Sequence, residues 1–427
     1  MDNLLAGQRI SLCMIVKNEI DWLPGCLESV KDIVAEIVIV DTGSTDGTVE
    51  LAGKFTSRIK QIAWIEDFSH ARNVALDMAA GDWVLAMDAD SSLGKDCGHQ
   101  ILQAVREPDV LACNLVMRNH FEGGDRETFL CTPLFRRLPN LRYSGKVHEQ
   151  VTPALKELML SNPLWRCATL DTVFIEHYGY MHEQTKLGKR SRNIELLRKS
   201  LADDPSDIYR RFKLAQALGA ENDTGFPHLA AALEALLRLS PGQIREQAFA
   251  HELMANGALR LAGRNQPRKA LEISRLTESL FGKHPVTSFA RALSHYLSRD
   301  GKSSLQSANE ALTIARPPGS FVCNPEWLRE DLYLLIAQIL QDRGEYSRAV
   351  ETLKAAVAEF ADSRRMALAL IRTGLAARMP LEALNEGARW LTAHGPDKEC
   401  LLLCADAAQM HGDTASAAKW RSMAGAL

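Results

Sequence analysis

The stretch Gly81–Asp90 reads GDWVLAMDAD, and it places five consecutive apolar residues, Trp83–Met87, directly before two aspartates. A short apolar run of this kind is typical of a strand that is buried on both faces. Asp88 and Asp90 then lie at the carboxyl end of that strand, the edge where open α/β sheets bind ligands. Because side chains alternate along an extended chain, both carboxylates are expected on one side.

Two carboxylates on one side suit a hard divalent cation such as Mg²⁺ or Mn²⁺, and that cation suits a diphosphate. The alternative interpretation is that Asp88–Ser91 is a polar turn that caps the next helix. The residues upstream decide between the two.

The length and composition of the chain describe a globular protein that is long enough for more than one domain. The chain has 427 residues, 46% of them hydrophobic, and a formal net charge of −3. This balance predicts no basic surface for a nucleic-acid backbone. Nine cysteines without a Cys-x-x-Cys pair argue against a zinc site and for a reducing compartment. With no signal-like amino terminus and no apolar run of about 18 residues, we expect a soluble, cytoplasmic protein.

Strands and helices alternate upstream of the opening stretch. Apolar runs predict strands over Ile10–Val16, Glu36–Val40 and Ile59–Ile65, with helical periodicity between them. This order predicts βαβ units and an α/β domain with a mainly parallel sheet. Glu19 and Asp41 follow the first two strands, so four carboxylates are expected at one edge of the sheet. Like charges repel there unless a cation or hydrogen-bond donors are present.

Four segments in this order resemble the motifs of family 2 glycosyltransferases with the GT-A fold. They are Ser11–Glu19 (SLCMIVKNE), Ile39–Thr48 (IVDTGSTDGT), Ala71–Asn73 (ARN) and Asp88–Asp90 (DAD). The resemblance extends from the amino terminus to the neighbourhood of Tyr180. It implies a nucleotide-sugar donor, usually a UDP-sugar, a divalent metal (Mn²⁺ or Mg²⁺) and inversion at the anomeric carbon.

The resemblance also implies a role for each residue of these motifs. Asp41 would accept a hydrogen bond from the nucleotide base, Glu19 would lie near the nucleoside, and Arg72 would lie near the nucleotide. Asp88 would lie near the ribose or the metal, and Asp90 would bind the metal. Without the motif order, Arg72 reads as a surface helix residue. Asp41 can also begin a turn, and both of its roles can hold at once.

The segment Tyr143–Gln150 (YSGKVHEQ) resembles the Gly-x-Val-His-Glu segment of the non-processive branches of the family. His148 would complete the cation site or contact the diphosphate, and Glu149 would be the general base. The alternative is a buried hydrogen bond and a surface charge. Asp171 and Glu176 are the fallback candidates for the base. The family's Glu-Asp base motif and its Gln-x-x-Arg-Trp motif are both absent here, and the second absence argues against a processive synthase.

From Lys186 onward the sequence predicts only helices, with a repeat of about 34 residues that resembles tetratricopeptide repeats. Alanines at positions 349, 383 and 417 mark the period, as do the residues at 337, 371 and 405. We expect a GT-A domain over residues 1–185 and a helical repeat domain over residues 186–427. The repeats would bind a protein or peptide, or would serve as a scaffold or dimer surface.

The combined architecture resembles bacterial peptide glycosyltransferases of the sublancin type. It predicts a metal-dependent, inverting transfer of a sugar from a UDP-sugar to a protein or peptide acceptor. One alternative is a lipid-linked or lipopolysaccharide-core acceptor, with the repeats used for assembly. The other is a non-catalytic nucleotide-binding scaffold, although intact Asp41, Arg72, Asp88 and Asp90 argue against it.

Overall fold

The computed structural model describes residues 8–121, 126–181, 183–219, 222–314 and 325–427. Within these ranges, eight strands lie in the amino-terminal part of the chain. They are β1 (Ile10–Val16), β2 (Glu36–Asp41), β3 (Ile59–Gln61), β4 (Trp83–Ala86), β5 (Ser91–Leu93), β6 (Val110–Phe121), β7 (Arg126–Arg136) and β8 (Arg166–Tyr180).

The strands form one mixed sheet in the order β3-β2-β1-β4-β7-β6-β8-β5. β1 pairs in parallel with both β2 and β4, and β2 pairs in parallel with β3. β7 runs antiparallel between β4 and β6, whereas β6 and β8 are parallel and β5 closes the edge antiparallel to β8. The predicted α/β domain is therefore present, and the carboxyl ends of β1, β2 and β4 meet at one edge of its sheet.

Helices cover both faces of this sheet, as expected for strands that are apolar on both sides. Leu27 of helix α1 and Ile101 of helix α4 are fully buried in the core of one face. Ala75 of helix α3 and Leu155 of helix α5 are buried in the core of the other face. These helices are α1 (Leu23–Val30), α2 (Thr48–Ala52), α3 (Phe68–Met78), α4 (Gly98–Ala104) and α5 (Thr152–Ser161).

One segment departs from the strand predictions. The strand expected over Ile59–Ile65 ends at Gln61, because β3 is an edge strand and Trp64 leaves the sheet to pack against the ring of Phe68, with ring centres 4.7 Å apart. β6 continues to Phe121 and β7 begins at Arg126, so these two antiparallel strands form a hairpin. The residues between them, which include Gly123 and Gly124, lie outside the described residues.

Three helices that follow the sheet belong to the same compact unit, whose described residues continue to Leu239. They are α6 (Glu183–Asp203), α7 (Ile208–Leu218) and α8 (Phe226–Leu237). Leu196 and Leu197 of α6 are buried with Val147, and Trp64 and Phe68 pack against this cluster. The domain boundary expected between residues 185 and 186 falls inside α6, and the compact units divide after Leu239 instead.

The second compact unit, from Ser240 onward, is helical throughout its described residues. Its helices are α9 (Pro241–Glu246), α10 (Ala250–Gly263), α11 (Pro267–Phe281), α12 (Pro285–Leu297), α13 (Gly301–Thr313), α14 (Pro325–Asp342), α15 (Tyr346–Glu359), α16 (Arg364–Ala376), α17 (Pro380–His394), α18 (Lys398–His411) and α19 (Thr414–Gly425). From α10 onward, each helix packs against the helix that follows it in the chain. In addition, α10 packs against α12, α12 against α14, α14 against α16 and α16 against α18.

The period predicted from the alanines is present in this unit. Helices α15, α17 and α19 begin at equally spaced positions, 346, 380 and 414. The alanines at 349, 383 and 417 have no exposed surface, which lets the paired helices approach closely. Cys400 and Cys404 are buried and unpaired, as expected of packing residues. This arrangement is a tetratricopeptide-like helical array.

Among the described residues, no helix combines the length and the apolar character that a membrane span needs.

Candidate active site

The loops that follow β1 and β2 are tied together by hydrogen bonds. The side-chain oxygen of Asn18 accepts from the backbone N–H of Thr45 (2.8 Å), and the backbone N–H of Asn18 donates to Ser44 Oγ (2.9 Å). The backbone N–H of Glu19 donates to Thr48 Oγ1 (2.8 Å). These contacts explain why two segments far apart in the sequence act as one side of the site.

Asp41 ends β2 and has no exposed surface. Its carboxylate accepts hydrogen bonds from the backbone N–H groups of Gly43 (3.0 Å) and Ser44 (3.1 and 3.2 Å). The turn interpretation of Asp41 therefore holds in this structure. Because Asp41 has no exposed surface, a nucleotide base could reach its carboxylate only if neighbouring groups move, and the base-binding role stays a prediction.

Arg72 of α3 bridges two of the expected site residues. Its Nη2 donates to Asp88 Oδ1 (2.6 Å), and its Nε donates to Glu149 Oε1 (3.1 Å). Burial alone would lower the pKa of Arg72, but the carboxylates of Asp88 and Glu149 outweigh it and raise the pKa. Nη1 is buried and has no hydrogen-bond partner among the described residues. Arg72 is therefore an interior charge at the site and not a surface residue.

Glu149 lies in the site, but its carboxylate is bound to Arg72 and its side chain is only 15% exposed. The fallback residues lie elsewhere. Asp171 is exposed on β8, next to the point where the register of β8 with β6 shifts. Glu176 accepts from Arg118 (2.6 Å) and contacts His120 (2.6 Å). Of the three candidates for a base, only Glu149 contacts another predicted site residue in the described part of the chain.

Asp88, Asp90 and His177 form a group that could hold a metal ion. Each contributes one ligand atom, and these atoms lie within 4.8 Å of one another. It is the one such group of three or more His, Cys, Asp or Glu side chains in the part of the chain that the structure describes. Two carboxylates and an imidazole are suitable ligands for Mn²⁺. The predicted pair of aspartates is thus completed by a histidine from β8.

The histidine of this group is His177, whereas the sequence predicted His148. His148 has a φ of 52°, an uncommon backbone conformation for a non-glycine residue. Burial lowers its pKa to about 4, with a further contribution from nearby Lys213. The segment Tyr143–Gln150 brings Glu149 to Arg72, and His148 is not a member of the group formed by Asp88, Asp90 and His177.

The surroundings of His177 favour a lone pair on the nitrogen that faces Asp90. Its Nδ1 lies 3.0 Å from Asn119 Oδ1, an oxygen that only accepts hydrogen bonds, so Nδ1 carries the proton in a neutral ring. Nε2 then presents a lone pair toward Asp90 Oδ1, 3.3 Å away. Two acceptors facing each other repel unless the ring is protonated or a cation lies nearby. A hydrogen bond from Nδ1 that fixes Nε2 for a metal is typical of histidine ligands.

Gly179 leaves the space that Asp90 and His177 need. A Cβ at this position would lie 2.4 Å from Asp90 Oδ2 and 2.9 Å from the His177 ring. Any larger residue would push one of these side chains aside. The residues present therefore fit a divalent cation at this site.

Lys189 of α6 supplies a positive charge beside the same aspartate. Its Nζ lies 2.8 Å from Asp90 Oδ2. Burial alone would raise the pKa of Asp90, but a protonated His177 ring and the Lys189 ammonium outweigh it, so the pKa is lowered. Burial and the negative charge of Asp90 raise the pKa of Glu19 to about 7. Nearby Lys189 opposes that rise, so Glu19, Asp90 and Lys189 belong to one electrostatic site.

A stack of rings adjoins the site. The rings of Trp22 and Tyr178 are nearly parallel, with centres 5.6 Å apart, and His120 stacks on Tyr178 at 4.8 Å. The backbone N–H of Tyr178 donates to the carbonyl oxygen of Asp90 (2.8 Å). Sequence reasoning gave no role to His177, Tyr178 or Lys189, because only the pairing of β8 with β5 and the packing of α6 bring them to Asp90.

The family described as Glycosyl transferase family 2 matches residues 11–153. A TPR repeat-containing protein of Synechococcus elongatus is 37% identical over 219 residues, which are 51% of this chain and 54% of that protein. The glycosyltransferase SunS of Bacillus subtilis is 30% identical over 202 residues, which are 46% of each chain. The chain spans about half the length of these relatives.

Among solved structures, the type IV pilus biogenesis factor PilW is 16% identical with a TM-score of 0.39. The match covers 51% of this chain and 92% of PilW.

The family match begins in β1 and ends at the start of α5, so it includes Glu19, Asp41, Arg72, Asp88, Asp90 and Glu149. Residues 11–153 therefore form a family 2 glycosyl transferase domain.

Proposed function

We propose that this protein is a metal-dependent, inverting glycosyltransferase that transfers a sugar from a UDP-sugar to a protein or peptide acceptor. The observation that carries the proposal is the group that Asp88 and Asp90 of the family 2 domain form with His177 of β8. Asp88 and Asp90 follow β4 at its carboxyl end, the position where α/β sheets bind ligands. A fixed histidine tautomer and the space left by Gly179 support a cation there.

Asp88, Asp90 and His177 would hold Mn²⁺ or Mg²⁺, with Asp90 the most buried of the three. The ion, when bound, offsets negative charge on the departing diphosphate. Arg72 holds Asp88 in place through its Nη2, while its buried Nη1 lacks a partner among the described residues. An unsatisfied buried donor is costly, and a phosphate oxygen or an ordered water would satisfy it. Arg72 is thus suited to a nucleotide site.

Glu19 and Asp41 complete the nucleotide side of the proposed site. Glu19 follows β1, and its N–H bond to Thr48 ties it to the loop after β2. Asp41 holds that loop in a tight turn through its bonds to Gly43 and Ser44. In the proposed complex Asp41 also accepts a hydrogen bond from the base, once the groups that cover it move, and Glu19 lies beside the nucleoside.

Inversion proceeds by one displacement, so a base must take the acceptor's proton as the acceptor atom bonds to the anomeric carbon and the diphosphate leaves. We assign this role to Glu149. Its ion pair with Arg72 orients the carboxylate within the site, and the described contacts of the two fallback residues include none of the other predicted site residues. The Arg72 guanidinium then contacts both Asp88, the carboxylate beside the proposed cation, and Glu149, the proposed base.

The helical array of the second unit is the feature that favours a protein or peptide acceptor. Stacked helix pairs form extended concave surfaces that commonly bind peptides. The described cysteines are unpaired, which supports a reducing, cytoplasmic setting as part of the proposal.

A labelled UDP-sugar, incubated with a cell extract and the purified protein, tests both the chemistry and the acceptor. Label on a protease-sensitive product supports the proposal, and label in the lipid extract assigns the acceptor to lipid or lipopolysaccharide core. UDP release without transfer in the purified system separates an enzyme from a nucleotide-binding scaffold. A protein that releases no UDP from any UDP-sugar with Mn²⁺ or Mg²⁺ contradicts the proposed function.

A further inference from the structure

Helix α6 begins at Glu183, well beyond position 153 where the family match ends, yet it carries a side chain that lies against Asp90, a buried carboxylate of the site. Lys189 Nζ lies 2.8 Å from Asp90 Oδ2, and its side chain is about one-third exposed. Asp90 is 6% exposed at the same contact. Lys189 therefore covers Asp90 and stays partly exposed to solvent.

The packing of α6 fixes this position. Leu196 and Leu197 are buried against Val147 in the sheet-bearing unit, so the helix is anchored about two turns beyond Lys189. A lysine on an anchored helix presents its charge in a defined direction, and its flexible stem lets the ammonium group move by a few ångströms.

A second cation lies on the same side of α6. Arg192 follows Lys189 by three positions, which places both side chains on one helix face. Its guanidinium lies 5.0 Å from the centre of the Phe68 ring, and its charge interacts with Glu149. The face of α6 that Lys189 and Arg192 share is therefore basic, and both Asp90 and Glu149 lie next to it.

The charges of the site leave room for an anion beside this face. Among the described residues, the carboxylates of Glu19, Asp88, Asp90 and Glu149 are opposed by the cations of Arg72, Lys189 and Arg192. Burial already favours the protonated form of Glu19. A divalent cation at Asp88, Asp90 and His177 would make the site positive, and a diphosphate would restore the balance.

We propose that Lys189 is a diphosphate-binding residue, so that the donor site extends beyond the family 2 domain into the first helix that follows the sheet. This inference rests on the proposed function, because it takes the donor to be a nucleoside diphosphate sugar. The Lys189 ammonium leaves Asp90 when the donor binds and donates to an oxygen of the diphosphate. Arg192 reinforces the charge one turn further along α6.

The test compares Lys189→Met with the wild-type full-length protein by calorimetry, at MnCl₂ concentrations that saturate each protein. UDP, pyrophosphate and uridine are the probes. Removing a hydrogen bond from a charged donor lowers the affinity about 10- to 100-fold. We expect this loss for UDP and pyrophosphate and no change for uridine, which has no phosphate. Lys189→Arg should retain most of the affinity.

Lys199→Met is the matched control, because Lys199 lies on the same helix and pairs with Glu66 at the surface. It should bind all three probes like the wild type. If Lys189→Met unfolds at a lower temperature but binds UDP and pyrophosphate normally, Lys189 is only the counter-ion of Asp90 and the inference is wrong. If the wild type binds pyrophosphate but not UDP, only the assignment of UDP as the donor nucleotide is wrong. If it binds neither, the proposed function and the role of Lys189 are both wrong.

Discussion

Replacing Gly179 with alanine should weaken Mn²⁺ binding about 10- to 100-fold and leave the fold intact, because disturbing the residues that orient metal ligands typically has an effect of this size. The added Cβ would lie 2.4 Å from Asp90 Oδ2 and 2.9 Å from the His177 ring, where ordinary contacts begin near 3.4 Å. Asp90 or His177 must therefore move by up to about 1 Å, whereas a metal site tolerates about 0.2 Å in its ligand distances.

Calorimetric titration with MnCl₂ alone measures this effect without a nucleotide. Gly188→Ala is the control, because nothing lies within 4 Å of the Cβ that it would add on helix α6. It should bind Mn²⁺ like the wild type. Thermal unfolding of both variants checks that the fold is preserved. A folded Gly179→Ala protein with wild-type Mn²⁺ affinity would refute the assignment of Asp90 and His177 as neighbouring metal ligands.

The geometry of the site gives three further predictions. His177→Ala should lose Mn²⁺ binding by calorimetry, whereas His148→Ala should keep it; the opposite result would restore the sequence-based ligand set. Glu149→Gln should bind UDP and Mn²⁺ but lose transfer to a hydroxyl acceptor by several orders of magnitude, and near-normal transfer would move the base elsewhere. The pKa of Glu19 is 4.5 in the unfolded chain and is raised to about 7 in the folded protein. Glu19 therefore stabilises the folded state fully below pH 4.5, and this contribution disappears as the pH rises through 7. Without metal, the wild type should therefore lose melting temperature relative to Glu19→Gln between pH 5 and 7.5; a constant difference would show that Glu19 titrates normally.

The sequence predicted the sheet best where strands are uninterrupted and apolar. The bounds of β1, Ile10–Val16, agree with the prediction residue for residue, because both faces of this strand are buried. β8 carried no such signal, since polar residues such as Glu176 and His177 interrupt its apolar pattern. It pairs with β6 and β5 through contacts between residues far apart in the chain.

The same distinction applies to the site. Asp88 and Asp90 could be predicted because a local pattern, a buried strand followed by two carboxylates, indicates their position. Lys189 is 99 residues from Asp90 in the sequence and lies in what reads as an ordinary amphipathic helix. His177 could not be predicted for the same reason, because only the antiparallel pairing of β5 with β8 puts it beside Asp90. Such residues become visible only when the packing of the whole unit is known.

Glu149 contacts Arg72, another residue of the predicted site, but this ion pair could not be read from the sequence. Its role as the base stays a prediction. That pair depends on how α3 and the loop before α5 meet, a contact between residues 77 positions apart.

The affinity of the full-length wild-type protein for UDP, measured by calorimetry with saturating MnCl₂ and again with EDTA, tests the central claim most directly. We predict that UDP binds in the presence of Mn²⁺ and at least about tenfold more weakly after chelation, because the cation held by Asp88, Asp90 and His177 would offset the charge of the diphosphate. Equal affinity in the two conditions, or no binding of UDP at all, would contradict a metal-dependent UDP-sugar transferase.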